Sequence, residues 1–154
     1  MPEPMPDKPL STQRFRVPMG DTDAAQIIYF GAPVGWAERL ATSYLADIGV
    51  PTSAVLASGR GLPAVDLHVV YRRPLRLDEW VRGELRVQRR SARSITWRCD
   101  FYPDGQSPDG QSPDGQSGLA VQVFLTQVSV RTTDGQPSPI PLPAELNELP
   151  EEPA

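Results

Sequence analysis

Residues 32–47 form the only stretch of this sequence with the pattern of a long helix, and this feature limits the possible folds more than any other. From position 37 onward, apolar residues recur with helical spacing and make one broad stripe, consisting of Ala37, Leu40, Ala41, Tyr44, Leu45 and Ile48. Pro33 suits the first turn of a helix, and Gly49 and Pro51 suit its exit. Because one helix cannot bury such a stripe by itself, the chain needs a sheet to pack against it.

About five strands are predicted around this helix. One precedes it, in the segment QRFRVPMG, and the others follow at residues 65–72, 81–88, 95–102 and 119–130. Three of the later segments alternate apolar and polar residues, as strands do, and the last is rich in β-branched and apolar residues. Parallel strands would need crossover helices that this sequence lacks, so the strands should be antiparallel. The prediction is an α+β domain, with an antiparallel sheet packed on one helix.

Composition excludes several classes of protein. A chain of 154 residues makes one domain, and 39% hydrophobic with 22% charged residues is typical of soluble globular proteins. No apolar run approaches the ~20 residues that span a bilayer, and the N-terminus has no secretory signal, so a cytoplasmic protein is expected. Since Cys99 is the only cysteine and His68 the only histidine, neither an intrachain disulfide nor a Cys/His metal site is expected. No cofactor is predicted.

Charge is distributed unevenly along the chain. The net charge of −4 argues against a general nucleic-acid binder, yet nine of the fourteen arginines fall between Arg72 and Arg98. Such a local patch suits a ligand that carries phosphate groups.

Proline, glycine and acidic residues mark the less regular parts of the chain. Residues 1–10 contain four prolines and are predicted to be a flexible arm, 11–142 a single domain, and 143–154 an acidic flexible tail. Within the domain, 103–118 includes three copies of PDGQS, which predict a solvated, mobile hairpin loop. A partner-binding loop is the alternative, although a lengthened loop is tolerated at a cost of only about 0.6 kcal/mol per doubling.

Two acids precede the helix, and its N-terminus is where chemistry is expected. Asp21 and Asp23 lie in the turn GDTD, and Phe30 and Gly31 lie where the unpaired N–H groups of a helix start gather. That end of a helix stabilises an oxyanion or a polarised carbonyl. A lone Asp in such a turn is, however, more often a turn former than a catalyst.

The segment GDTDAAQIIYFGAPVGW, residues 20–36, resembles the signature of the 4-hydroxybenzoyl-CoA thioesterase-like branch of the hotdog-fold acyl-CoA thioesterases. The resemblance implies a hotdog fold, in which a curved five-stranded antiparallel sheet wraps around one long central helix. It also implies hydrolysis of an acyl-CoA to free acid and coenzyme A. Asp23 matches the catalytic carboxylate, as nucleophile or general base, and Phe30 matches the residue whose backbone N–H polarises the thioester carbonyl. Gln26 departs from the family pattern, which has Gly at that place.

The resemblance further implies how substrate binds. Arg89 and Arg90 fall where relatives contact the nucleotide phosphates of coenzyme A, although a solvated turn also explains such a pair. Gly31 is expected to contact substrate, and Trp36 lines either the acyl pocket or the core. A homodimer or homotetramer is expected, with the substrate tunnel at the subunit interface.

Other functions remain open. Hydratases of the same fold use a His–acid pair, but His68 sits in mid-strand without their characteristic neighbours and is interpreted as an ordinary strand residue. Asp21 is interpreted as a structural acid. A non-hydrolytic acyl-CoA or acyl-carrier binding protein is the main alternative, favoured by Gln26. The acyl group itself is not defined, because Ile27, Ile28 and Tyr29 fit aromatic and aliphatic chains alike.

Overall fold

The computed structural model describes residues 8–105, 118–133 and 135–151. The mobile tip predicted from the PDGQS repeat and most of the N-terminal arm lie outside these residues. In chain order the elements are β1 (Ser11–Arg16), α1 (Ala32–Asp47), α2 (Thr52–Ala57), β2 (Arg60–Gly61), β3 (Ala64–Tyr71), β4 (Trp80–Arg90), β5 (Ser94–Pro103), β6 (Val121–Val128), β7 (Val130–Arg131), β8 (Ser138–Pro139) and α3 (Ala144–Asn147), with a 3-10 turn at Met19–Asp21. None of the helices in the described ranges is long and apolar enough to cross a membrane.

Five antiparallel strands form the main sheet in the order β1-β4-β5-β6-β3. The central strands β4, β5 and β6 are consecutive in the chain, so simple hairpin connections place them side by side. Strand β3 lies at one edge of the sheet and β1 at the other. The predicted α+β hotdog fold, with five antiparallel strands and one long helix, is confirmed.

Helix α1 lies across the sheet and buries the apolar stripe predicted from the sequence. Ala37, Leu40, Ala41 and Leu45 are at most 4% exposed, and they join the large buried side chains Trp97 and Phe101 of β5 in one core. Gly83 in β4 lets the helix approach closely, since a Cβ there would come within 3.0 Å of Leu40 Cδ1 and 2.8 Å of the Phe101 ring. The helix is therefore fixed against the centre of the sheet, and its N-terminus is fixed with it.

The C-terminal segment differs from the expected flexible tail over the residues that are described. Helix α3 buries Leu146, and Leu142 and Leu149 on either side of it are also buried in the main core. The Arg90 Nε–H donates to the Leu149 carbonyl at 2.9 Å, and Glu151 forms a parallel bridge with Val87. Three leucines at helical spacing supply apolar surface that the acidic, proline-rich composition of this segment obscures.

Candidate active site

The two acids before α1 lie in a small hairpin that is closed on itself. Thr22 bridges Ile28, the Asp23 N–H donates to the Ile27 carbonyl at 2.9 Å, and the Gln26 N–H donates to the Asp23 carbonyl at 2.9 Å. Gln26 adopts φ 60°, the left-handed conformation that glycine favours. The turn therefore has the backbone shape that suits the family's glycine, although Gln occupies the position.

Asp21 and Asp23 have different surroundings. Asp21 Oδ2 accepts a hydrogen bond of 2.7 Å from the Trp36 indole N–H, so this carboxylate is held against the first turns of α1. Asp23 is exposed, and its Oδ1 accepts the Ala25 N–H at 2.8 Å, as in an Asx turn. One Asp23 oxygen thus fixes its side chain at the tip of the hairpin, whereas the Asp21 carboxylate is bound by the indole of a core residue, Trp36.

Two backbone amide groups at the N-terminus of α1 are candidates to bind an anion. The N–H groups of Phe30 and Gly31 have no hydrogen-bond acceptor among the described residues. The carbonyl group of each of these two peptide units accepts a hydrogen bond. Tyr29 O accepts the Ala32 N–H at 3.1 Å, and Phe30 O accepts the Tyr71 hydroxyl. Hydrogen bonds to these carbonyls polarise the attached N–H groups, which strengthens them as donors to an anion.

Tyr71 joins β3 to this site, and sequence reasoning missed it. Partial burial raises the pKa of Tyr71 above its usual value, which keeps the phenol protonated and able to donate. Phe30 and Tyr71 are separated by 41 positions in the chain. Only the fold brings them together, so no local pattern in the sequence signals the contact.

Exposed apolar and aromatic side chains lie at the helix start and continue along β3 away from it. The Phe30 side chain is 82% exposed, and the other large apolar or aromatic side chains nearby along the chain or on β3 that are exposed are Tyr29, Val65, Leu67 and Tyr71. A patch of this kind beside a candidate site is typical of a surface that another molecule covers.

A cavity of about 500 Å³ lies against the N-terminal half of α1. Asp21, Tyr29, Gly31, Trp36, Glu38 and Thr42 are among its lining residues. Asp23 is not among the described residues that line it, so within one chain the exposed carboxylate lies at the tip of the hairpin and outside the cavity. Gly31, Gly35, Glu38 and Thr42 recur at helical spacing, and this stripe of small and polar residues is the signal that would have revealed the cavity wall.

Trp36 belongs mainly to the core. Its ring is 2% exposed and makes edge-to-face contacts with Phe15 and Phe101, at centroid distances of 4.9 and 5.4 Å. The same indole borders the cavity and donates its N–H to Asp21. Trp36 is therefore a core residue that also borders the cavity, and its role in an acyl pocket stays a prediction.

Arg89 and Arg90 lie at the opposite end of the sheet from the helix start. One row of directly paired residues across the strands consists of Tyr71, Val121, Phe101 and Gly83. Arg90 belongs to another row, with Ile95, Gln127 and Ala64. At about 3.3 Å per strand residue, the two rows are about 20 Å apart. Arg89 is exposed, while Arg90 bonds to the C-terminal segment. One chain therefore does not bring the two arginines beside Phe30.

His68 lies in the middle of β3. It is exposed, and its ring centroid is 6.0 Å from that of Phe124 on the neighbouring strand. This environment agrees with its interpretation as a strand residue.

A sequence profile of the thioesterase superfamily matches residues 25–108 of the chain. Among curated proteins, none matches the chain significantly by sequence. The solved 4-hydroxybenzoyl-CoA thioesterase from Pseudomonas sp. strain CBS-3 is 20% identical, with a TM-score of 0.74 over 90% of this chain and 96% of that one. A gentisyl-coenzyme A thioesterase is 20% identical, with a TM-score of 0.72 over 89% of this chain and 99% of the other. A 1,4-dihydroxy-2-naphthoyl-CoA thioesterase from Synechocystis is 18% identical, with a TM-score of 0.70 over 88% and 91%.

Proposed function

The chain belongs to the thioesterase superfamily, and on that premise we propose that it hydrolyses an acyl-CoA thioester to a free carboxylic acid and coenzyme A. The observation that carries the proposal is the pair of polarised N–H groups at the start of α1, next to a hairpin that presents an exposed Asp23 carboxylate. The three solved proteins named above are acyl-CoA thioesterases by name, and their similarity supports the same substrate class.

In this mechanism the thioester carbonyl oxygen lies against the Phe30 N–H, with the Gly31 N–H adjacent. These donors stabilise the negative charge that develops on the oxygen as the carbonyl carbon becomes tetrahedral. Donors of this type are typically worth about 2.7 to 4 kcal/mol each in the transition state. The helix dipole adds to them, since its positive end lies at the same point.

Asp23 supplies either the nucleophile or the base. As a nucleophile, a carboxylate oxygen attacks the carbonyl carbon, coenzyme A leaves as the thiolate, and water then hydrolyses the mixed anhydride. As a base, Asp23 takes a proton from a water molecule that attacks the thioester directly, and the proton passes to the leaving thiolate. Both routes give the same products, and both need Asp23 ionised. Asp21 positions the hairpin through Trp36 in either route.

The working unit that we propose is a homodimer, on its own or within a homotetramer. Strand β3 offers a free sheet edge, and its exposed Val65, Leu67 and Tyr71 continue the apolar patch around Phe30. Antiparallel pairing of two copies of β3 about its middle would cover this patch and enclose the exposed Asp23 hairpin. Asp23 is exposed in one chain because the partner chain, which would cover it in the dimer, forms the other side of the site.

The same pairing explains the position of the arginines. It brings the Ala64 end of β3 beside the Tyr71 end in the partner, and Arg90 is level with Ala64. Four strand spacings of about 4.8 Å separate β4 from the partner's β3, or about 19 Å, a span that an extended coenzyme A molecule can bridge. Arg89 and Arg90 are therefore proposed to bind the phosphates of a coenzyme A whose thioester lies in the partner's site.

Thiol release from a panel of aliphatic and aromatic acyl-CoA esters tests the proposal. Hydrolysis of at least one ester, with both free acid and coenzyme A as products, is the expected result. If every ester binds and none is hydrolysed, the protein is instead a non-hydrolytic acyl-CoA or acyl-carrier binding protein. The cytoplasmic location stays a prediction.

A further inference from the structure

A second cavity, of about 540 Å³, adjoins the first one along α1. Its lining comes from α1 from Glu38 onward, from α2, from the β2–β3 connection, from β6, and from β2 and β7 with the residues that follow β7. Its apolar lining side chains are aliphatic, and they include Leu45, Val55, Leu56, Leu62, Leu125 and Val130. The volume falls in the usual range of small-molecule sites.

Two of the polar side chains in this lining, Gln127 and Thr42, already have hydrogen-bond partners within the protein. The Gln127 amide nitrogen donates to the Leu62 carbonyl at 2.9 Å, and its oxygen accepts the Trp97 indole N–H at 2.7 Å. The Thr42 hydroxyl donates to Glu38 Oε1 at 3.0 Å. No arginine, lysine or aromatic ring is among the described residues of the lining. The interior therefore favours a ligand without charge, hydrogen-bonding groups or a flat ring to stack.

The two cavities share a boundary. Glu38 and Thr42 line both of them, on consecutive turns of the same face of α1. A ligand that enters at the helix start and follows this face passes these two side chains before it reaches the aliphatic interior.

The distance along the helix sets the length of such a ligand. From Gly31 to Thr42 the axis advances about 16 Å, at 1.5 Å per residue. With C–C bonds of about 1.5 Å in a zigzag chain, roughly a dozen carbons cover that distance. A shorter acyl group would end in the first cavity.

We propose that the second cavity binds the distal end of a linear aliphatic acyl chain, which makes long-chain aliphatic acyl-CoA the preferred substrate class. The inference rests on the proposed function, because it assumes that the thioester lies at the start of α1. Glu38 at the boundary adds a selection: its carboxylate repels a chain that ends in a second carboxylate, so methyl-terminated chains are preferred.

The experiment uses the full-length protein and saturated acyl-CoA esters from four to sixteen carbons, with kcat/KM and the dissociation constant measured for each. Each methylene buried beyond about twelve carbons is expected to strengthen binding about fourfold, until the cavity is full. Hexadecanedioyl-CoA, which carries a terminal carboxylate, is expected to bind more weakly than hexadecanoyl-CoA.

A cavity-filling variant sharpens the test. Leu62→Trp places a large ring in the second cavity and is expected to lower kcat/KM for the sixteen-carbon ester at least tenfold relative to the four-carbon ester. Ala46→Trp adds the same ring at an exposed position of α1 outside both cavities, and it should leave the ratio unchanged.

The possible failures are distinguishable. Hydrolysis with kcat/KM and affinity independent of chain length would overturn the acyl-chain inference and leave the thioesterase proposal intact. Binding that strengthens with chain length without any turnover would overturn the thioesterase proposal and support the cavity assignment. The wild-type measurements decide both points even if Leu62→Trp does not fold.

Discussion

Gln26 holds the left-handed backbone conformation at the turn after Asp23, with φ 60°. For a residue with a Cβ this conformation costs about 1 to 2 kcal/mol. Glycine avoids that cost, but it loses more conformational entropy on folding, which offsets part of the gain. Gln26→Gly should therefore raise the free energy of unfolding by about 0.5 to 1 kcal/mol, which corresponds to a rise of about 1 to 4 °C in the melting temperature. Thermal unfolding measured by circular dichroism checks this.

Gln13→Gly is the matched control, because Gln13 lies in the regular pairing of β1 with β4 and is not among the described residues with positive φ. There the same substitution should destabilise the protein by about 0.5 to 1 kcal/mol. Equal melting-temperature losses in both variants would show that Gln26 is not strained.

Tyr71 is predicted to position the helix start through its hydrogen bond to the Phe30 carbonyl. Removal of the hydroxyl in Tyr71→Phe weakens the polarisation of the Gly31 N–H, and kcat should fall about two- to eightfold with little change in KM. Tyr102→Phe is the control and should keep the parental kcat, because Tyr102 is next to Phe101 in β5 and so lies on the face of the sheet opposite to α1, under Arg82. A KM effect without a kcat effect would assign Tyr71 to binding instead.

At the scale of residues, the sequence predicted the parts of the site that are close together in the chain. The acids, Phe30 and Gly31 fall within one short segment, so a motif and a helix start were enough to single them out. Tyr71 approaches them from β3, and the different surroundings of Asp21 and Asp23 depend on the position of the Trp36 indole. Such contacts arise from packing, which no local pattern contains.

Among the elements, the hairpin that carries the PDGQS repeat contains a buried acid at its base. Asp104, in the first copy, is 1% exposed and pairs with Arg14 and with Arg82, the latter at 3.1 Å. Because the copies are identical, deletion of one or two always leaves a Pro-Asp pair to occupy positions 103 and 104. These deletions should change the melting temperature by no more than a few degrees and preserve activity.

Asp104→Ala is the contrasting variant. It removes the carboxylate that Arg14 and Arg82 share, while Arg82 keeps its ion pair with Glu84 at 3.0 Å. Because both arginines reach solvent, the expected loss is about 1 to 3 kcal/mol. Differential scanning calorimetry of both kinds of variant provides the comparison. A two-copy deletion as destabilising as Asp104→Ala would show that the loop itself packs on the domain.

Element prediction succeeded where periodicity is long. The sixteen residues of α1 and the strands of the main sheet repeat their patterns often enough to be recognised. The two-residue strands β2, β7 and β8 have no period to detect. Helix α3 is a single turn with one leucine, Leu146, in a segment rich in prolines and glutamates. Their structure depends on the surface that the rest of the domain offers them.

For the whole molecule, the proposed dimer predicts that each site uses Asp23 from one chain and Arg89 and Arg90 from the other. The double variant in which Arg89 and Arg90 are both changed to Ala should have a KM several-fold above the parental value. The increase in KM should be larger at low salt, where the attraction between arginine and phosphate is least screened. Arg131→Ala removes an exposed arginine from the small sheet and should have no such effect.

Mixed dimers test the sharing directly. One chain carries Asp23→Asn, and the other carries both arginine substitutions. If the site is shared, the site with an intact Asp23 receives intact arginines, so the mixed dimer should show the parental KM and about half the parental kcat. A raised KM in the mixed dimer would place both groups in the same chain.

The turnover number of Asp23→Asn, compared with that of Asp21→Asn, is the most direct test of acyl-CoA hydrolysis at this site. The Asn side chain has neither the charge of a nucleophile nor the basicity of a carboxylate, whereas the N–H groups of Phe30 and Gly31 are unchanged. We predict that kcat falls at least ~100-fold in Asp23→Asn while acyl-CoA still binds, with a residual rate from the backbone donors. Asp21→Asn should lose stability more than rate, because its partner is Trp36. A near-parental kcat in Asp23→Asn, with Asp21→Asn folded but inactive, would contradict this assignment.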